Sequence, residues 1–410
     1  MSLVTGVGVS AERDLNAAIA AAAAEARSQC PDAVLVLGFV THNHGAAGLG
    51  EAAGILASAF PGAQTAGGQV NGITYDHERY DAVFANRFAV AVVAFGGAGV
   101  RGAIALQASA GTSPRSSGSA LARDAIERLG TTPVGGIFLG IGLSQVPPVD
   151  QQIVDGIRDV APRLRITGSG LCGGMQLDGS YDPGVAFLGR EVVERGVLLA
   201  VLGGEVRLGF SAANGMRPVG PGAFVTKVDG AEIVELNGRP AKDVTLDLLA
   251  PDSPDLRALF EKNPQVMAIE RGITFAAPDL EGDFYWCHSP AMFTPRGGVF
   301  DAFGPRVGMG LAVTRIDPES CMSAVAEAAG MLQQDAGTEE FELTLAFSCS
   351  LRGFTLGADI AREDGELRKH VKSRRHIGIV ANGEVGCYRH GRPMFTGWVF
   401  ALLGAATESS

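Results

Sequence analysis

The chain lacks the signatures of several common functions. Its six cysteines stand far apart, at 30, 172, 287, 321, 349 and 387, and none forms a CxxC pair. That leaves a zinc knuckle or a thioredoxin-like dithiol without support, and scattered Cys in so long a chain reads as reduced, buried thiols rather than a disulfide framework. There is no phosphate loop of the form GxxxxGKS or GxxxxGKT, no GxSxG elbow leading to a triad, and no CxxCH for covalent haem. No uncharged apolar run approaches the roughly 18 residues of a membrane span. Met1 to Ser10 has neither a basic segment nor a long apolar core, so no signal peptide is expected and the cytoplasm is the expected location. Basic residues are outnumbered, 33 against 44, for a net charge of -11. Without a Lys/Arg stripe, that balance argues against nucleic acid and anionic lipid as partners. The one basic cluster, Arg368 to His376, is short and reads as a solvated helix face and its following loop.

What the chain has in abundance is small and apolar residues. Hydrophobic residues make up 46% and charged residues 19% of 410, enough for a large core and more than one domain. Glycine occurs 57 times, about twice the usual frequency of roughly 7%. Many glycines fall where an apolar run ends, a position that lets backbone approach backbone or a ligand.

One pattern recurs three times. Ala33 to Phe39 is a continuous apolar run, as in a strand covered on both faces. A helix over Leu49 to Phe60 follows, stopped by Pro61-Gly62, then a short strand entering Thr65-Ala66-Gly67-Gly68-Gln69-Val70-Asn71-Gly72. About a hundred residues later Gly136 to Ile141 is a strand, Asp150 to Val160 a helix, and Leu164 to Ile166 leads into Thr167-Gly168-Ser169-Gly170-Leu171-Cys172-Gly173-Gly174. In the third copy Leu343 to Cys349 is a strand, Arg362 to Val371 a helix, and His376 to Val380 opens into Ala381-Asn382-Gly383-Glu384-Val385-Gly386. These units predict an α/β fold of repeated strand-helix-strand elements with mixed sheets. Such repeats place equivalent loops at equivalent strand ends, where α/β proteins bind ligands. For any single loop, tight turning is the favoured account of the glycines; the threefold recurrence is what points to a site.

Further strands are expected over Phe88 to Phe95 and Arg195 to Leu202, the latter turning at Gly203-Gly204 into Glu205 to Phe210. Pro218-Val219-Gly220-Pro221-Gly222 is the expected domain boundary, after which Phe224 to Val228 and Glu232 to Leu236 form a hairpin and a helix begins near Pro240. The divisions are a lead-in helix over 1–29 and domains over 30–220 and 221–410.

The ordered set Pro-Val-Gly-Pro (218–221), Thr-Lys-Val-Asp-Gly (226–230), Leu-Asn-Gly-Arg-Pro-Ala (236–241), Phe-Ser-Cys-Ser-Leu-Arg-Gly (347–353) and Ala-Asn-Gly-Glu-Val-Gly (381–386) resembles the FIST family. The glycine segments 64–73 and 166–174 are similar to those of its N-terminal part, and the resemblance spans roughly residues 30 to 405. It implies a two-part FIST N and FIST C architecture and a sensory module for a small, amino-acid-like ligand. Any signal would pass to a separate partner protein. Haem-based nitric-oxide sensing is the family's other implied role. One departure stands out: where the family usually carries F-H-N-x-T, this chain reads Pro393-Met394-Phe395-Thr396-Gly397-Trp398.

The ligand-binding candidates are Gly67, Gly68, Asn71, Gly168, Cys172, Gly173, Cys349, Arg352, Asn382, Gly383 and Glu384. A guanidinium at Arg352 suits a carboxylate and a carboxylate at Glu384 suits an amine, together the needs of a zwitterion; alternatively the two pair with each other. If the chain is an enzyme instead, Glu384 is the acid/base candidate and Cys349 and Cys172 the nucleophiles, which requires an electropositive setting. Gly168, Gly170 and Gly173 match GxGxxG, but Met175 to Gly179 does not read as the required helix. No cofactor is expected; were haem bound, His42, His44 or His288 would be the ligand candidates.

Overall fold

The computed structural model describes residues 3–83, 85–108, 113–145, 148–175, 181–218, 221–250, 253–263, 273–278, 285–289, 292–301, 305–388 and 391–407. It is a mixed α/β protein built from three copies of one unit, wider than the strand-helix-strand core legible in sequence. The first copy runs β1 (Val4–Ser10), α1 (Leu15–Gln29), β2 (Ala33–Thr41), α2 (Leu49–Ala59), β3 (Gln64–Val70), the hairpin β4 (Gly72–Tyr75) and β5 (Glu78–Asp81), and β6 (Val90–Gly96). The second runs β7 (Val100–Gln107), α3 (Pro114–Leu129), β8 (Pro133–Gly140), α4 (Asp150–Val160), β9 (Ile166–Gly170), β10 (Cys172–Met175), β11 (Tyr181–Pro183), the hairpin β12 (Val185–Leu188) and β13 (Glu191–Glu194), and β14 (Val197–Gly204).

The third copy opens with β15 (Arg207–Ala213) and is interrupted by an inserted sheet. That insertion comprises β16 (Arg217–Pro218), β17 (Ala223–Asp229), β18 (Glu232–Leu236), β19 (Arg239–Pro240), α5 (Ala241–Leu249), α6 (Pro254–Lys262), β20 (Ile273–Pro278), β21 (Tyr285–Ser289), β22 (Met292–Phe293), β23 (Val299–Phe300) and β24 (Gly310–Arg315). The unit resumes with α7 (Pro318–Ala336), β25 (Glu340–Phe341), β26 (Leu343–Cys349), α8 (Leu351–Leu356), α9 (Arg362–His370), β27 (Lys372–Ser373), β28 (His376–Ala381), the hairpin β29 (Glu384–Cys387) and β30 (Pro393–Thr396), and β31 (Phe400–Ala406).

In every unit the first strand pairs with the last, the last with the second, and the second with the third. The orders are β1-β6-β2-β3, β7-β14-β8-β9 and β15-β31-β26-β28. The second and third strands are parallel each time, with Leu35 opposite Gln64, Gly136 opposite Ile166 and Thr344 opposite His376. A helix crossing between them meets the length that a parallel connection demands. The units then exchange hairpins in a ring: β12-β13 of the second completes the sheet of the first, β29-β30 of the third completes that of the second, and β4-β5 of the first completes that of the third.

The pleat explains why the apolar runs are continuous. In β2, Leu35, Leu37 and Phe39 face a core common to all three sheets, while Val36 and Val40 face α1 and α2. In β26, Leu343, Leu345 and Phe347 enter the same common core and Ala346 faces the α7 side. The fold is therefore a shared apolar centre ringed by three sheets, each covered outside by its own helices.

Two expectations change. The strand after Gly203-Gly204 does not fold back on its predecessor: β14 pairs with β7 and β8, whereas β15 pairs with β31 in the next sheet. The turn carries the chain from one unit to the next. The glycine segments are also largely strand rather than loop, with Gly67 and Gly68 inside β3, Gly168 inside β9 and Gly173 inside β10. Of the expected boundary at Pro218 to Gly222, Val219 and Gly220 lie outside the described residues, and the inserted sheet begins beside it at β16. The hairpin expected beyond it is β17-β18.

Candidate functional site

The ring of exchanged hairpins brings the three strand ends together. Beyond β3 lies Asn71, whose N–H donates to Val380 O at 2.9 Å in the third unit. Gly170, at the end of β9, donates to Gly383 O at 2.8 Å, and Leu143 of the second unit donates to Asn382 O at 3.4 Å. These bonds knit the segments Asn71, Leu171-Cys172 and Asn382-Gly383-Glu384 into one buried cluster. Relative exposure is 1% at Asn71 and 0% at Cys172, Asn382 and Glu384.

At its centre is the Cys172 sulfur, 4.0 Å from Asn382 Nδ2 and accepting from Gly174 N at 3.4 Å. The Asn71 amide lies beside the same sulfur. Burial pushes the Cys172 thiol up to about 12, so at neutral pH it is a thiol, not a thiolate.

The distinctive feature is what these groups leave unmade. Asn382 Oδ1 and Ser169 Oγ have no hydrogen-bond partner. The Asn71 amide and the Glu384 carboxyl have none at ordinary hydrogen-bond distance and make only longer contacts, Asn71 with the Cys172 sulfur and Glu384 with the Cys349 thiol and the Val399 backbone. Ser169 and Glu384 are directly opposed across β9 and β29, a register that puts both side chains on one face about 5 Å apart at Cβ. Each buried polar atom left unpaired costs about 1–3 kcal/mol, and native structures leave few of them. Burial holds the Glu384 carboxyl well above the usual carboxylate range, against the opposing pull of Cys349, the Val399 amide and Arg352. That shift favours the neutral acid at Glu384 over the carboxylate. The Cys349 thiol beside it is raised for the same reasons, burial first and Glu384 second.

Arg352 takes neither of the roles expected of it. Its guanidinium is fully buried, with Nε donating to Glu363 at 2.5 Å, one terminal nitrogen to Trp398 O at 3.1 Å and Asn214 O at 3.3 Å, and the other to Cys321 O at 3.0 Å. Its carboxylate partner is thus Glu363, not Glu384, because α9 sets Glu363 over the end of β26. The remaining candidates are glycines that serve packing. A Cβ on Gly67 would lie 1.7 Å from Gly38 O and 2.7 Å from the Phe187 ring, so only glycine allows β3 to pass there.

His42 and His44 sit in a short 3-10 turn after β2 and face different surroundings. His42 Nδ1 comes within 3.1 Å of where a Cβ on Gly174 would lie, whereas the His44 ring packs edge-on against Phe88, 5.0 Å between centroids. Burial lowers both pKa values, so both rings are neutral. Among the described residues no three His, Cys, Asp or Glu side chains are grouped to hold a metal ion. The side chain of His288 lies outside the described residues. Sequence reasoning missed Ser169 and Glu363: the first is masked by its glycine neighbours, and the second sits in a helix that reads as solvated.

A family model for the FIST N domain matches residues 34–239, half of the chain and all of the second unit. The chain belongs to the FIST family. Its FIST N segment contains Asn71, Ser169 and Cys172, while Asn382 and Glu384 come from beyond it. No curated protein matches the sequence. Solved structures similar to it include a cyanuric acid hydrolase from A. caulinodans, at 11% identity and a TM-score of 0.39, covering 99% of this chain and 100% of that one. Another is a chorismatase, at 9% identity and a TM-score of 0.35, covering 99% of each. Likeness at this level says nothing of the chemistry here. Among the described residues no helix is long and apolar enough to cross a membrane.

Proposed function

We propose that this FIST protein is a ligand-binding sensory module, acting in the cytoplasm, which holds a small polar molecule where the strand ends of its three units meet and passes its occupancy to a separate protein. The observation that carries this reading is the set of buried polar atoms on Asn71, Ser169, Asn382 and Glu384 that lack a partner at ordinary hydrogen-bond distance. A ligand that pairs with them recovers a cost the folded chain otherwise bears. The amino-acid-like form of the ligand draws its support from the family resemblance alone, since the donors of Arg352 are already engaged with the protein. The enzymatic reading finds less support: burial keeps Cys172 and Cys349 as thiols rather than the thiolates a nucleophile needs. No observation favours the haem reading.

The test is thermal denaturation against a panel of small amides, amino acids, small acids and haem. A ligand present at a hundred times its dissociation constant stabilises the fold by about 2.7 kcal/mol, a shift of several degrees. The expected result is a shift in the wild type that is lost in an Asn71→Ala/Asn382→Ala double variant. A stabilising compound that acts equally on that variant binds elsewhere and refutes the site.

A further inference from the structure

The groups that meet at the strand ends share one chemical property. The Asn71 and Asn382 amides and the Ser169 hydroxyl each both donate and accept, and none carries charge. Glu384 joins them, because its 0% exposure favours the protonated acid, itself a donor and an acceptor, against only longer contacts with the Cys349 thiol and the Val399 backbone. The cation that acts on Glu384 is Arg352, and its guanidinium is committed to Glu363 and the carbonyls of Asn214, Trp398 and Cys321. Glu363 in turn holds Ser348 as well as Arg352. A carboxylate entering this cluster would give up its hydration for no free counter-ion, and an ammonium would meet a neutral acid. Either carries a desolvation penalty of several kcal/mol.

An uncharged ligand avoids that penalty. A side-chain amide presents an N–H and a C=O side by side, and the edge of a lactam or ureide presents the complement, so two parallel hydrogen bonds form at each contact. Resting on the ligand-binding reading above, we propose that the ligand is a small, uncharged, amide-like molecule, a lactam or cyclic ureide, whose adjacent N–H and C=O groups pair with Asn71, Asn382 and Glu384.

The experiment is calorimetric titration and thermal denaturation with hydantoin and uracil as neutral probes, glycine and glutamate as zwitterionic ones, and succinate as a dianion. The neutral probes are expected to bind and raise the melting temperature, the others not. Glu384→Gln, an uncharged near-isostere, is expected to hold the neutral probe within about threefold of wild type, whereas Asn382→Asp, which adds a charge, weakens it at least tenfold, or about 1.4 kcal/mol. Circular dichroism checks that both variants are folded. If glycine, glutamate or succinate binds and the neutral probes do not, the ligand class is wrong while the site stands. A hundredfold loss in Glu384→Gln with any binding probe likewise overturns it, since that marks an ionised glutamate. If no probe binds the wild type, the ligand class and the binding reading fall together.

Discussion

Arg352 and Glu363 form a buried ion pair that fastens both ends of the inserted sheet to the strand ends of the third unit. Arg352 donates to Asn214 O, where the chain leaves β15 for the insertion, and to Cys321 O, where it returns in α7. Burial is the largest single influence and works against its charge, but Glu363, together with Cys321 and Cys349, raises the pKa above its ordinary value. Removing one member of such a pair leaves the other buried and uncompensated, at a cost of about 3–5 kcal/mol. Arg352→Ala is expected to lower stability by that amount in urea unfolding. A loss below about 1 kcal/mol would show that the pair does not brace the fold.

The thiols are expected to be inert in the native protein. Burial pushes Cys172 and Cys387 up to about 12, and Cys30 and Cys321 up to about 11. Iodoacetamide labelling at pH 8, mapped by mass spectrometry, is expected to leave these four and Cys349 unmodified until the chain is unfolded. Fast native labelling of Cys172 or Cys349 would revive the nucleophile reading.

Two buried groups are expected to tilt stability in opposite directions with pH. Asp150 is 0% exposed and accepts from Ile141 N at 2.8 Å and Gly142 N at 3.0 Å; burial raises its pKa to about 7 despite those bonds. Because the folded value lies above the unfolded 3.8, its contribution is fully present below pH 3.8 and is lost as pH rises to about 7. His376 is the reverse case: burial, then Arg368, lowers it from 6.5 to about 4, with Asp364 opposing. Its contribution is present above pH 6.5 and is lost as pH falls towards 4. Each slope is at most about 1.4 kcal/mol per pH unit. Urea unfolding from pH 4 to 7 is expected to show the wild-type advantage over Asp150→Asn shrinking with pH, and that over His376→Gln growing. Parallel curves for either variant would contradict the corresponding assignment.

The meeting of the strand ends allows no added carbon at Gly170. A Cβ there would lie 2.2 Å from Gly142 Cα and 2.6 Å from Asn382 O. Gly170→Ala is expected to cost about 1–3 kcal/mol or more through forced backbone shifts. Gly330→Ala, in α7 with open space around it, is expected to stabilise by about 0.5–1 kcal/mol through helix propensity. Equal effects from both in thermal unfolding would show that the strand ends are not tightly locked.

Much of this fold is written locally. The runs Ala33 to Phe39 and Leu343 to Cys349 announce buried parallel strands, and helices such as Asp150 to Val160 end where their apolar face does. The exchanged hairpins are not legible, because strands as short as β4 and β29 are placed by partners hundreds of residues away. Asn71, Cys172 and Asn382 are legible as strand-end residues, yet their convergence depends on that exchange. The role of Arg352 is hidden for the same reason: of its partners, Asn214 is 138 and Trp398 46 residues distant. A sequence shows that an arginine follows a strand, but not that four polar groups already await it.

The most direct test of the central claim is a crystal structure of the wild-type protein soaked with the compound that stabilises it most. The account expects one bound molecule per chain, with polar atoms within hydrogen-bond distance of the Asn71 and Asn382 amides and Glu384. Density for that compound elsewhere, with waters alone satisfying those groups, would contradict it.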